Sequence, residues 1–131
     1  MKTAEDIESY LIRMDSNYEV VGENIWLIKD GGADLVVSIG GPVLVLRVKL
    51  LELDRIDDDR KQEFFKTLLE LNSSEMLHGA YGLEEGVVVA TDALELENLD
   101  FNEFQASVDD LTLAVSKHYP VLNKFANKQA A

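Results

Sequence analysis

The sequence predicts an α+β fold in which an antiparallel sheet is flanked by helices, with the elements in the order α-β-β-β-α-β-β-α. Apolar residues recur at helical spacing in three segments, and runs of β-forming residues joined by glycine-containing turns lie between them. Strands and helices do not alternate strictly, which argues against a doubly wound parallel sheet. A length of 131 residues favours one domain, so we expect residues 1–126 to form it and residues 127–131 to be a frayed tail.

The first helix is predicted to begin behind Thr3, because the side chains of Thr3 and Asp6 can satisfy free backbone N–H groups. Apolar residues then follow at helical spacing up to Met14, and the helix should end within residues 15–17. Residues 18–28 are rich in β-formers and contain a turn signal at 22–24. They supply the first strand region of the predicted order.

Two glycine pairs, Gly31-Gly32 and Gly40-Gly41, are predicted to be turns on either side of a strand at residues 34–39. The second pair suits a two-residue hairpin turn, with Pro42 opening the next strand. Residues 43–53 form the longest strand candidate, and alternate side chains should point to opposite faces of the sheet. One face is wholly apolar and is assigned to the core: Leu44, Leu46, Val48 and Leu50. The other face mixes apolar and cationic side chains, as in a face that is half solvated or covered by a partner: Val45, Arg47, Lys49 and Leu51.

The second half of the chain predicts a helix, a hairpin and a final helix. Any of Asp57, Asp58 and Asp59 could cap the helix whose wide apolar face runs from residue 64 to residue 71. The hairpin pairs residues 78–83 with residues 87–91 through a turn at 84–86. The last helix should begin at Asp100 and be kinked or ended near residue 119 by Pro120, which clashes with the preceding turn.

Composition narrows the class of protein. Asp and Glu outnumber Lys and Arg by 25 to 12, and the resulting charge of −13 repels nucleic acids and anionic membranes while favouring basic partners. The chain has no cysteine, which excludes disulfides and thiolate chemistry and fits a reducing compartment. Neither a signal-peptide h-region nor an apolar run approaching 18 residues is present, so we expect a soluble cytoplasmic protein.

The residues that usually perform chemistry do not form a recognisable active site. The acidic cluster at 54–59 lacks the spacing and central glycine of a calcium loop, and the glycine pairs lack the lysine and serine of a phosphate loop. His78 starts a strand, and His118 is best explained by a favourable interaction with the C-terminal end of the last helix. We therefore expect no metal, no cofactor and no enzymatic activity.

One family resemblance adds to these expectations. The segment from His78 to Leu83, the strand Gly86-Val87-Val88-Val89 and the acidic, leucine-rich helix from Phe101 onward resemble the YbjN and Tir-chaperone-like branch of the type III secretion chaperones. The order of elements is similar over nearly the whole chain. The resemblance implies a homodimeric, non-enzymatic protein that binds another polypeptide through apolar sheet and helix surfaces.

The candidate site is therefore a partner-binding or dimer patch that contains some of Trp26, Val43, Val45 and Leu51. Large apolar residues are usually buried in the core, so the alternative that these four residues are core residues stays open. The predicted function is a chaperone-like or adaptor protein for a polypeptide client or regulatory protein. The alternative is a stand-alone regulatory domain that senses a small ligand or a signalling partner, with Arg47 and Lys49 meeting an anion.

Overall fold

The computed structural model describes residues 1–30 and 33–126. The predicted turn at Gly31-Gly32 and the predicted tail at 127–131 lie outside the described residues. The elements are α1 (Ala4–Arg13), β1 (Tyr18–Gly22), β2 (Ile25–Ile28), β3 (Leu35–Gly40), β4 (Val43–Glu52), α2 (Lys61–Ser74), β5 (Ala80–Glu84), β6 (Val87–Glu95) and α3 (Phe101–Asn123). Two short 3-10 turns, Leu53–Arg55 and Asp58–Arg60, connect β4 to α2.

The strands form one six-stranded sheet in the order β1-β2-β3-β4-β6-β5, and each neighbouring pair is antiparallel. The predicted α+β class with an antiparallel sheet is confirmed. The sheet has one more strand than the predicted order, because residues 18–28 form a hairpin of two strands. Asn24 makes the tight reversal possible by adopting a positive φ of 58°, a conformation that asparagine tolerates better than most residues.

Within the described residues, α1, α2 and α3 pack on the face of the sheet that carries Leu44, Leu46 and Val48, and their apolar side chains form one buried cluster with it. The predicted starts of α1 and α3 are confirmed, since the Thr3–Asp6 and Asp100–Glu103 pairs each form a complete capping box. The largest fully buried side chains come from the helices, from β3 and β4, and from the connections at residues 56 and 96–99: Phe64, Phe104, Ile7, Leu11, Leu44, Leu46, Ile56, Leu96, Leu99, Leu111, Leu122 and Val37. Each such burial contributes roughly 1.5–3 kcal/mol relative to an exposed side chain.

The pleat of β4 follows the prediction up to Lys49 and then departs from it. Leu44, Leu46, Val48 and Leu50 all face the core. The register with β6 shifts between Lys49 and Leu51, so a β-bulge lies at this point. Leu51, which was predicted on the opposite face, is consequently buried at 6% exposure. An extra residue in one strand reverses the direction in which the following side chains point.

Three local boundaries also differ from the sequence prediction. The β3–β4 turn consists of Gly41 and Pro42, because Gly40 already pairs with Val43, and Gly41 has the positive φ of 60°. At the start of α2, Arg60 occupies the N-cap position without a side-chain capping hydrogen bond, so none of the three aspartates fills that position. Pro120 lies inside α3, which continues to Asn123. Leu122 and Phe125 are buried beyond this proline, and their packing holds the last turn in place.

Candidate partner-binding surface

The face of the sheet opposite the helices carries a row of partly exposed apolar side chains. We call this surface the open sheet face; its members, from β2, β3 and β4, are Ile25, Leu27, Val36, Val43 and Val45. Residues that pair directly across neighbouring strands point to the same face of a sheet. Ser38 of β3 pairs with Ile25 of β2 on one side and with Val45 of β4 on the other, so these three side chains share a face. The alternation of β4 therefore places an apolar strip on each side of the sheet, and only one strip is covered by helices.

The four predicted patch residues divide between the two faces. Val43 and Val45 lie on the open sheet face with intermediate exposure. Trp26 points to the helical layer, where it is 3% exposed and its indole Nε1 donates to Oε1 of Glu8 at 3.4 Å. Leu51 is turned inward by the bulge. An exposed surface can therefore include Val43 and Val45 but not the other two, and a role for these valines in partner binding stays a prediction.

Arg47 and Lys49, which the sequence analysis considered as a site for an anion, lie on the open sheet face beside carboxylates of the chain itself. Nε of Arg47 lies 3.0 Å from Oε1 of Glu84, and its second nitrogen donates to the other carboxylate oxygen at 3.2 Å. This pairing compensates the guanidinium charge before any ligand arrives. Lys49 borders a shallow depression of about 380 Å³, which is also lined by Leu27, Asp34, Val36 and Arg47. The mixture of charges does not favour one anionic ligand.

The two edges of the sheet differ in whether their backbone groups are available. At the β5 edge, Asn72 of α2 accepts from the backbone N–H of Tyr81 at 2.7 Å and donates to its carbonyl at 3.1 Å. The amide side chain thus replaces a neighbouring strand at this point. At the β1 edge, Lys29 N–H donates to the Asn17 carbonyl at 2.8 Å, which makes these residues a hydrogen-bonded pair. Because such pairs alternate in antiparallel strands, the backbone groups of Tyr18 and Val20 point outward.

Exposed apolar residues mark the β1 edge. Val20 is 60% exposed and Val21 is 51% exposed. The register of β1 shifts between Val20 and Gly22, so Val21 is the additional residue of a bulge. An extended segment with outward backbone donors and acceptors and exposed valines has the features of a site for strand addition.

A buried polar pair was missed by the sequence analysis. His118 is 3% exposed, and its Nδ1 lies 2.7 Å from the hydroxyl of Tyr81, whereas its Nε2 lies 3.7 Å from Oε1 of Glu75. Burial raises the pKa of Tyr81 to about 12. A hydrogen bond from Lys117, at 2.9 Å, lowers the pKa of Glu75, with His118 adding to the effect. The signal was present in the spacing, because position 118 continues the apolar stripe of Leu111, Val115 and Leu122.

His78 is the other histidine, and its Nε2 lies 3.1 Å from Oδ2 of Asp110. Within residues 1–30 and 33–126, no three side chains of the His, Cys, Asp or Glu types gather in a way that could hold a metal ion. None of the helices in the described parts of the chain is long and apolar enough to cross a membrane.

Comparisons with solved structures identify similar folds. A chain of the ExoU–SpcU complex from the type III secretion system of Pseudomonas aeruginosa is 16% identical with a TM-score of 0.71, over 90% of this chain and 98% of the other. YbjN, a putative transcription regulator from E. coli, is 10% identical with a TM-score of 0.70, over 92% and 93%. The Yersinia pestis type III secretion chaperone SycH, in complex with a fragment of YscM2, gives 12% identity and a TM-score of 0.60, over 92% and 99%.

These similarities confirm the chaperone-like fold expected from the resemblance. A search of curated proteins gives no match. The family model CesT_Tir_1 matches residues 1–128 of the chain. The match spans every helix and strand of the fold, and the protein therefore belongs to the CesT_Tir_1 family.

Proposed function

We propose that this protein is a non-enzymatic polypeptide-binding protein, a chaperone or adaptor, that acts as an acidic homodimer. The observation that carries the proposal is the difference between the two sheet edges. Asn72 occupies the backbone groups of Tyr81 at the β5 edge, whereas Tyr18 and Val20 direct theirs outward at the β1 edge. A polypeptide in extended conformation can pair with such an edge irrespective of most of its sequence.

The open sheet face supports the association part of the proposal. Val43 and Val45 lie at the centre of the sheet, between β3 and β6, and their side chains are partly exposed. Contiguous apolar surface of this kind is buried in oligomers and complexes. We assign this face to the dimer interface and the β1 edge to the client, so that the two surfaces can be tested separately.

The charge of the chain also favours a binding role. Its net charge of −13 attracts basic polypeptide segments and keeps complexes soluble. Two of the similar solved structures, the ExoU–SpcU and SycH–YscM2 complexes, contain a protein bound to another protein or a fragment. For this chain the client is proposed by chemistry alone, as a polypeptide with an extended segment.

The first experiment is affinity capture of the tagged protein from its native cell extract, followed by mass spectrometry and light scattering. We expect one abundant polypeptide at a fixed ratio to a dimer of twice the mass of the chain. A monomer that captures nothing would contradict both parts of the proposal.

Substitutions then separate the two surfaces. Val20→Pro removes an outward backbone N–H and should abolish client capture, whereas Val20→Thr at the same position keeps the donor and should retain it. Val45→Asp places a charge on the open sheet face and should convert the dimer to a monomer. Circular dichroism checks that each variant is folded. Equal client capture by the proline and threonine variants would contradict the edge assignment.

A further inference from the structure

A groove runs along one side of α3, between this helix and the ends of β2, β3 and β4. It consists of two cavities of about 250 Å³ and 460 Å³, and both are lined by Ala33 and Ser116. We call this surface the α3 groove; its apolar wall is formed by Met14, Ile28, Leu35, Leu50, Val108 and Val115. The combined volume is within the range of about 300–1,000 Å³ that is typical of ligand clefts.

Two large apolar side chains of α3 stand at the rim of this groove. Leu113 lines the first cavity and is 68% exposed, and Tyr119 lines the second and is 38% exposed. Apolar side chains that border a concave apolar wall are positioned to be covered together by one ligand. The wall and the rim therefore form a continuous apolar surface of the kind that accepts one side of a helix or a turn.

The charges around the first cavity are acidic. Asp30 and Asp109 line it, and no lysine or arginine among residues 1–30 and 33–126 does. Asp30 accepts one hydrogen bond, from the Asn17 backbone at 2.8 Å, and Asp109 makes no ion pair within the described ranges of the chain. Partial burial and the neighbouring carboxylate of Asp110 raise the pKa of Asp109. A cation placed beside it would relieve this repulsion. Lys49 lines the second cavity, at the other end of the α3 groove from Asp30 and Asp109.

We propose that the α3 groove binds a basic amphipathic segment of a partner polypeptide, with its apolar side chains against Val108 and Leu113 and a lysine or arginine beside Asp109. This inference rests on the proposed polypeptide-binding function and specifies a second contact, made by side chains and separate from the outward backbone groups of the β1 edge. The occupant is argued from charge complementarity, because an apolar wall with an acidic rim favours cationic amphipathic segments over acidic ones.

The test uses two synthetic helical peptides of equal length. The first carries leucine on one side of the helix and lysine on the other, and the second has glutamate at each lysine position. Fluorescence anisotropy at about 0.15 M salt, where long-range attraction is largely screened, measures both affinities. The lysine peptide should bind and the glutamate peptide should not. Equal binding of both peptides, or of neither, would overturn the proposal.

Matched variants locate the peptide on the surface. Leu113→Gln should weaken binding of the lysine peptide about tenfold or more, which corresponds to about 1.4 kcal/mol. Leu69→Gln is the control, since Leu69 is a helix-surface leucine of α2 with nearly the same exposure, 69% against 68%. Asp109→Lys should likewise weaken binding more than Glu70→Lys, which makes the same change of charge on α2. Equal effects within either pair would show that the peptide is not bound at the α3 groove and would overturn the proposal.

Two further outcomes distinguish this inference from the proposed function. If a captured client binds wild-type protein and Leu113→Gln equally, the groove assignment is wrong and polypeptide binding stands. If Leu113→Gln changes a dimer into a monomer in light scattering, the groove is occupied by a second copy of the chain, which also overturns the proposal.

Discussion

The hydroxyl of Tyr81 lies 2.7 Å from Nδ1 of His118, and this contact joins β5 to α3 through the core. Tyr81 is 6% exposed and His118 is 3% exposed, so neither group can exchange its partner for bulk water. The same hydroxyl lies 3.4 Å from the backbone carbonyl of Ala114, to which it can donate, and burial raises the pKa of Tyr81 to about 12. The pair is therefore a buried polar contact in which each side chain depends on the other for a hydrogen bond.

Removing both side-chain polar groups should therefore cost less than the sum of the two separate removals. Tyr81→Phe leaves Nδ1 of His118 buried without its hydrogen-bond partner and should lower the free energy of unfolding by about 1–3 kcal/mol. The double variant Tyr81→Phe/His118→Leu should be less destabilised than the sum of the two single variants, because it removes both polar groups. Urea denaturation measures all three values. Additive effects would mean that the two side chains do not interact.

The same burial predicts a late step in an alkaline titration. Because the pKa of Tyr81 is raised in the folded state, the folded protein holds a proton that the unfolded chain releases from about pH 10. Its contribution to stability is complete below pH 10 and is lost as the pH rises towards 12. Absorbance at the phenolate wavelength should show a final phase that Tyr81→Phe abolishes and Tyr119→Phe leaves in place. A final phase that survives in Tyr81→Phe would contradict this assignment.

Gly79 occupies a position that other residues cannot adopt without strain. Its φ is +80°, and a Cβ built there would lie 2.4 Å from the backbone carbonyl oxygen of Thr91 on β6. Gly79→Ala should therefore destabilise the protein by at least about 1–3 kcal/mol, since both the backbone strain and the clash must be relieved. Gly82 is the control, because its added Cβ would meet nothing within 4 Å and its φ is not positive. Thermal unfolding that shifts equally in the two alanine variants would exclude this explanation.

The sequence was sufficient to predict those features that depend on residues close together in the chain. The capping residues Thr3 and Asp100 act on backbone groups within a few residues, so both helix starts were predicted correctly. Interactions between distant segments could not be predicted in the same way. Asn72 covers the backbone groups of Tyr81 on the β5 edge, and Pro120 stays within α3 because the residues beyond it are held by the core. The β4 bulge had no signal in the strict alternation of residues 43–49.

That bulge makes a specific prediction about two successive leucines. In a regular strand only one of Leu50 and Leu51 would face the core, but both are buried here, at 8% and 6% exposure. Leu50→Ala and Leu51→Ala should therefore each lower the free energy of unfolding by about 2–5 kcal/mol, as expected for buried leucines. Leu69→Ala on the surface of α2 should change it by no more than about 0.5 kcal/mol. If Leu51→Ala is as mild as Leu69→Ala while Leu50→Ala is severe, β4 continues without a bulge, and Leu51 rejoins Val45 on the open sheet face.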